Sequence, residues 1–416
     1  MRIQIITLMA MTFVAPGARL MAEDSETPVS ALAVVAVATD DAAVRASVAK
    51  SLPYLEQAGV EWMSVRGCMS CHHVPIMLST FHAARAKRLT VDTAKLAEWE
   101  DWTRKESRLH RNQFRLERDD LNALDAAIMP ADVRLKAMGA VDRGYVSEAD
   151  YAKRLAELLT ADELAAHQAL LVKTAALPGY HWDRTGGGMD ILAQLILGRR
   201  SATEDAPSKE FRVELQALMR MSQLADGTWP PGKTLNTLRR WTKPIAEQTT
   251  TMWTALALTC ETQVQDSLPH VAKIRELLQQ QPQQPENYEW LAKRLLFEHR
   301  LGTADATAKL REQLCAARNS DGGWGWEKQV PSDAYTTGMA LVVLAEVGVG
   351  AHPEVIMQTR RYLLTAQQPD GSWLTPAKHI SNSTDPKRLK ARDEINGYWG
   401  TGWAAMGLLA TLAEGS

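Results

Sequence analysis

Through the second half of the chain, short polar turns alternate with runs that are apolar on every side. Three of these runs open with small residues: Thr250-Thr251-Met252-Trp253, Thr336-Thr337-Gly338-Met339 and Gly400-Thr401-Gly402-Trp403. A similar opening recurs at Gly187-Gly188-Met189-Asp190-Ile191-Leu192, at Tyr288-Glu289-Trp290-Leu291 and at Cys71-His72-His73-Val74-Pro75-Ile76-Met77-Leu78. A helix without a polar face has to be buried, so the pattern predicts six buried helices. The segments ahead of them, such as 44–59, 161–177 and 353–366, mix apolar and charged residues at helical spacing and read as amphipathic outer helices. Six inner helices, each preceded by an outer one, predict an all-α fold, an (α/α)6 toroid over 44–416 whose inner helices line a central cavity. The stretch at about 90–151 breaks the period. It is highly charged, contains RKESRLHRNQFRLERDD, and reads as a helical insertion, a solvated hairpin in preference to a lid over the cavity.

The turns repeat one another: Gln223-Leu224-Ala225-Asp226-Gly227-Thr228-Trp229, Arg318-Asn319-Ser320-Asp321-Gly322-Gly323-Trp324 and Gln367-Gln368-Pro369-Asp370-Gly371-Ser372-Trp373. Internal repeats of this kind mark a repeated architecture. Glycine tolerates positive φ, aspartate bonds nearby backbone N–H groups, and the tryptophan ring packs between neighbouring units. The chain has 13 Trp against 5 Phe, and each of the three turns ends on a Trp, which reads as a repeated packing device. These Gln-x-x-Asp-Gly-x-Trp turns resemble the QW motifs of squalene-hopene cyclases, and the helix openings resemble repeats of protein prenyltransferase β-subunits. The resemblance is clearest from Gln223 to the C-terminus, with Arg318 in place of Gln in the middle turn.

Composition narrows the partners. With 47 basic and 49 acidic residues and 45% hydrophobic residues, the chain has no field favouring nucleic acid and enough apolar surface for a large core. The opening MRIQIITLMAMTFVAPGARLMAEDS has a leading Arg, an apolar stretch and a small-residue site at Leu20-Met21-Ala22. It reads as a signal peptide over 1–22, followed by a linker over 23–43. A membrane anchor is the alternative, but Pro16, Gly17 and Arg19 interrupt the run before the ~18–20 residues a spanning helix needs. No later run is long enough, so the mature chain is expected to have no transmembrane segment and to be periplasmic or otherwise extracytoplasmic.

Cys68-Met69-Ser70-Cys71-His72 is C-x-x-C-H, the attachment pattern of c-type haem. In this reading the two thiols add to the porphyrin vinyl groups and His72 binds iron, giving one covalent haem c. The alternatives are a Cys68–Cys71 disulfide, or zinc held by both thiolates with His72 or His73 and a distant fourth ligand. The motif stands where other repeats have their turn, with Trp62 ahead of it, which puts the haem at the mouth of the cavity. His181, in Gly179-Tyr180-His181-Trp182-Asp183, is the distal-ligand candidate. Met77 and His82, on the helix after His72, are poorly placed to reach the opposite haem face, and His110, His379 and other methionines stay open. Cys260 and Cys315 read as buried thiols or one structural disulfide.

The cyclase resemblance implies a carbocation cascade started by the acid of a D-x-D-D motif, which is absent; Glu117-Arg118-Asp119-Asp120 lies in the charged insertion and reads as a solvated face. Prenyltransferase zinc is equally unsupported, because Ser332-Asp333-Ala334-Tyr335 has Ala where that family's pattern supplies Cys. Carboxylates near the helix openings are Asp190, Glu247, Glu289, Asp333 and Glu394. Asp190, Glu289 and Asp333 are the catalytic-acid candidates, with helix capping and ion pairing as the competing roles. Three functions follow. The first is a redox protein exchanging electrons with a partner protein or with an apolar, isoprenoid-like small molecule in the cavity. The others are a cyclase-like enzyme with an accessory haem and a noncatalytic lipid-binding or haem-sensing scaffold.

Overall fold

The computed structural model describes residues 39–66, 73–112, 156–157, 159–165, 169, 188–199, 206–221, 223–229, 231, 242–260, 264–279, 287–381 and 383–413. Among them there are helices and turns, with an isolated bridge between Asn287 and Glu327 and no strand. None of the helices is long and apolar enough to cross a membrane. The segments assigned above to a signal peptide and to most of the linker lie outside the described residues.

The helices are α1 (Asp41–Arg66), α2 (Val74–Ala86), α3 (Thr93–Asn112), α4 (Gly188–Leu197), α5 (Ala206–Met221), α6 (Lys243–Leu258), α7 (Val264–Gln279), α8 (Tyr288–Leu301), α9 (Ala304–Ala316), α10 (Ala334–Val347), α11 (Glu354–Ala366), α12 (Ala377–Ile380) and α13 (Pro386–Ala410). Six of them, α2, α4, α6, α8, α10 and α13, each pack on the next, and α13 packs back on α2. That closed cycle is the inner ring of an α/α toroid. The outer helices α1, α5, α7, α9 and α11 lie against it. The outer helix expected at 161–177 is described only as a helical start at 161–165. Of the charged insertion, α3 is described and 113–150 are not.

Polar capping sets several starts. Asn287, Thr303, Asp333 and Asp385 accept backbone N–H groups of the first turns of α8, α9, α10 and α13. The inner helices also reach further back than their apolar runs: α13 begins at Pro386 rather than Gly400, and α6 at Lys243 rather than Thr250. The charged residues 386–394 form an accessible overhang, and proline at the first turn suits a helix start in both. Where α10 crosses α13, Gly338 and Gly407 leave no room for a Cβ between the two backbones.

Each Trp turn is a clip between an outer and an inner helix. Asp226, Asp321 and Asp370 accept the N–H two residues on, at 2.9, 3.0 and 3.0 Å. The following Gly227, Gly322 and Gly371 have φ of +91°, +94° and +89°. The indole N–H of Trp229, Trp324 and Trp373 donates to the carbonyls of Met219, Leu314 and Leu363 on the preceding outer helix. The backbone N–H of each donates to Thr251, Thr337 or Thr401 on the following inner helix, at 3.1, 2.9 and 2.9 Å. All three rings are fully buried. Gln223 and Gln367 brace their turns by donating to the glycine carbonyls of Gly227 and Gly371. In the turn that has Arg318 instead, the Thr359 hydroxyl of α11 donates to Gly322 O. Gln367 also exchanges hydrogen bonds with Ser47, and Arg360 of α11 pairs with Asp41 and donates to Thr411 O, so the last repeat is tied to α1.

The insertion starts from a polar anchor. Glu100 on α3 meets His82 of α2 at 2.5 Å and Arg199, just past α4, at 2.8 Å. Burial pushes the Glu100 carboxyl up, but the His82 hydrogen bond and the Arg199 and Arg104 guanidiniums outweigh it and hold the group below the ordinary carboxylate range. Cys260 and Cys315 form no disulfide, and burial followed by Glu312 raises the Cys315 thiol.

Gly371→Ala is expected to lower unfolding stability by more than ~1 kcal/mol, because the methyl meets the Lys50 carbonyl oxygen in a turn held at positive φ. Gly397→Ala, inside α13 with room for the methyl, is expected to be neutral or stabilising by about 0.5–1 kcal/mol. Urea midpoints of the two variants check the difference; equal losses would contradict the clip geometry.

Candidate functional site at the toroid rim and lumen

The residues of the C-x-x-C-H motif, Cys68, Cys71 and His72, lie outside the described residues, as does His181. Their flanks are described. Helix α1 runs to Arg66, and His73 is the N-cap of α2. The His73 ring stacks on Trp62 of α1 at 4.1 Å between centroids and 14° between planes, and on Tyr398 of α13 at 4.3 Å and 19°. These three rings line a cavity of about 320 Å³ together with Tyr54, Ala58, Glu61, Glu394 and Ile395.

Tyr398 is fully buried and donates its hydroxyl to Leu55 O at 2.9 Å. Burial, and then Tyr54 beside it, push its phenol well above the ordinary value; burial, then Asp370 and Glu394, raise Tyr54 as well. Both rings therefore stay neutral around pH 7. The wall is mainly aromatic, with two carboxylates at its edge. Glu61 and Glu394 are exposed, and no lysine or arginine appears among the described lining residues. In sequence, this mainly aromatic wall flanks the C-x-x-C-H residues, which themselves lie outside the described residues.

The second site is the lumen. Asp190 at the start of α4, Glu289 at the start of α8 and Lys293 one turn along α8 converge among Trp253, Tyr335, Met339, Trp399 and Trp403. The Lys293 ammonium lies 2.9 Å from Glu289, 3.8 Å from Asp190 and 5.1 Å from the centre of the Trp253 ring. The Thr250 hydroxyl donates to Asp190 at 2.6 Å. All three charged side chains are buried, so two carboxylates share one ammonium inside an aromatic chamber that also favours positive charge. The cavity left is about 20 Å³, room for roughly one water.

The structure thus brings Asp190 and Glu289 together and leaves Asp333 out. Asp333 caps α10, accepting the Thr336 N–H at 2.8 Å and its hydroxyl at 3.0 Å, and does not line the lumen cavity. Glu247 is half-buried and Glu394 belongs to the rim. Met77 is buried beneath Gly59, and His82 is paired with Glu100. His379 is half-buried, and the His110 side chain lies outside the described residues. Lys293 and Tyr398 did not stand out in the sequence. For Lys293 the clue was an (i, i+4) acid–base pair in a mostly apolar helix; for Tyr398 there was no local clue.

No family model matches the chain. Drimenyl diphosphate synthase from Streptomyces showdoensis is 36% identical to it over 77 residues, which are 18% of this chain and 14% of that protein. The chain therefore matches only a small part of that relative's length. Similar solved structures include a glycosidase variant, at 13% identity and TM-score 0.48 over 90% of this chain and 98% of that one. A type II terpene cyclase from Scytonema in complex with merosterolic acid A has 13% identity and TM-score 0.33 over 89% and 97%. A possible member of the GH105 family from Salmonella enterica has 15% identity and TM-score 0.36 over 94% and 98%.

Lys293→Met removes the ammonium that Asp190 and Glu289 share and is expected to cost about 3–5 kcal/mol. Replacing Asp190 by Asn and Glu289 by Gln in the same chain is expected to recover most of that. Thermal and urea unfolding of the single and triple variants read this directly; a silent single variant would show that the lysine is not the counter-ion.

Proposed function

We propose that this chain is an exported c-type haem protein on a terpenoid-cyclase-like toroid, exchanging electrons with a partner protein or an apolar small molecule. Cys68 and Cys71 would hold the haem covalently, His72 would ligate its iron, and His181 is the proposed distal ligand. When bound, the haem supplies reversible one-electron exchange. The observation that carries the reading is the rim cavity: two of its walls, Trp62 and His73, bracket the C-x-x-C-H segment in sequence and stack on each other in space. The chain's own contribution is a flat aromatic wall and two tyrosines held neutral, which shield a bound group from water. The Trp turns are proposed to be of the QW kind, because the Asp and Trp hydrogen bonds recur in all three turns and the Gln brace in two of them. The proposed signal and the extracytoplasmic attachment of such haems support an extracytoplasmic location for this reading.

A terpenoid-cyclase-like enzyme is the second reading, and the similarity to drimenyl diphosphate synthase favours it. There the acid would be Asp190 or Glu289, with the lumen rings facing developing positive charge. Against it stands the space beside those carboxylates, which is about 20 Å³.

The test is to express the full chain with a haem-attachment system and record its pyridine haemochrome beside Cys68→Ala and Cys71→Ala. One covalent haem per chain is expected, with loss or weakening of attachment in each variant. Absence of haem, with zinc in its place, would overturn the reading. In parallel, polyprenyl diphosphates are offered to the protein and to Asp190→Asn. Cyclised product that disappears in that variant would establish the second reading.

A further inference from the structure

Helix α13 carries opposite charges along one face. Lys387, Ala391, Glu394 and Tyr398 follow one another at i, i+4, i+7 and i+11, so they share a stripe over about three turns. Tyr398 is buried in the ring, whereas Lys387, Ala391 and Glu394 are exposed, as are Arg388 and Lys390 beside them. Arg388 turns back to Asp385 at 3.5 Å. Lys387, Lys390 and Glu394 enter no ion pair among the described residues.

The two signs stand at different heights. Glu394 lines the rim cavity together with Glu61 of α1, which is likewise exposed and in no ion pair among the described residues. Lys387 stands on the overhang, roughly 10 Å further along the helix axis, beyond the reach of an ordinary (i, i+4) pair with Glu394. The cavity therefore shows two carboxylates and, among its described lining residues, no cation, while the cations of the same helix project past it.

This order of charges is self-complementary. A second α13 laid antiparallel against the first, about a two-fold axis between Lys390 and Ala391, brings Lys387 of each helix over Glu394 of the other. Ala391 stands at the centre of the stripe, where its short side chain lets the two helices approach.

We propose that a second copy of this chain completes the rim: two toroids meet through their α13 overhangs, and each supplies Lys387 to the other's rim cavity, against Glu394 and Glu61. This goes beyond the haem reading and does not rest on it, because every residue involved is a described one. An isologous contact of this kind closes on itself and stops at two copies. Its pairs are exposed charges, so salt weakens it.

The experiment is sedimentation velocity of the full-length protein at low and at high salt, beside Lys387→Glu, Glu394→Lys and the double variant carrying both. The wild type is expected to be a dimer at low salt and to dissociate at high salt. Each single variant sets like charges opposite each other twice in a symmetric dimer, so its dissociation constant is expected to rise about tenfold or more. The double variant, in which opposite charges face each other again, is expected to return to the wild-type dimer. A wild-type monomer at low salt would overturn the inference and leave the overhang to an acidic partner protein. A dimer that neither single variant weakens would also overturn it, and so would a double variant as weak as the single ones. If a single variant does not fold, the wild-type salt series and the double variant decide. The readout is mass alone, so the result is separate from whether haem is attached.

Discussion

Three repeats of the ring each hang on one buried indole that bonds in two directions. Its ring N–H holds a carbonyl of the outer helix, and its backbone N–H holds a threonine hydroxyl of the inner helix, at Trp229, Trp324 and Trp373 alike. An unmade buried hydrogen bond costs about 1–3 kcal/mol, so each clip strongly favours one angle between its two helices. Repeating the angle brings α13 back onto α2, and the ring closes. Where one brace is missing, at Arg318, the neighbouring repeat supplies the hydroxyl of Thr359.

Closure decides what is left for function. The inner helices meet so closely that tryptophans, a tyrosine and an Asp190–Lys293–Glu289 cluster, two carboxylates sharing one ammonium, leave only about 20 Å³ between them. The larger cavity lies at the rim, where α1 and α13 flank the start of α2. Trp62 and His73, which stand on either side of the C-x-x-C-H residues in sequence, stack on each other there.

The all-α toroid was legible in the sequence because buried helices leave an unbroken apolar run and the Trp turns repeat nearly letter for letter. Helix starts were less so: the charged first half of α13 carries no apolar period, and only the cap at Asp385 marks where it begins. The acid candidates divided for a physical reason. Asp333 and Asp190 both stand at helix starts, and a capping carboxylate and a lumen carboxylate look alike until the helix axis is known. Lys293 was hidden because a lysine in an apolar helix is usually solvated, whereas this one finds two carboxylates inside the ring. Tyr398 lies far along the chain from His73, so only the closed ring brings the two together.

The most direct measurement is a crystal structure of the haem-loaded full chain. The rim assignment predicts a porphyrin bonded to Cys68 and Cys71 and lying against the wall of Tyr54, Trp62, His73 and Tyr398, with the lumen cluster unchanged. A metal held by the two thiolates with no porphyrin, or a porphyrin seated away from that wall, would contradict it.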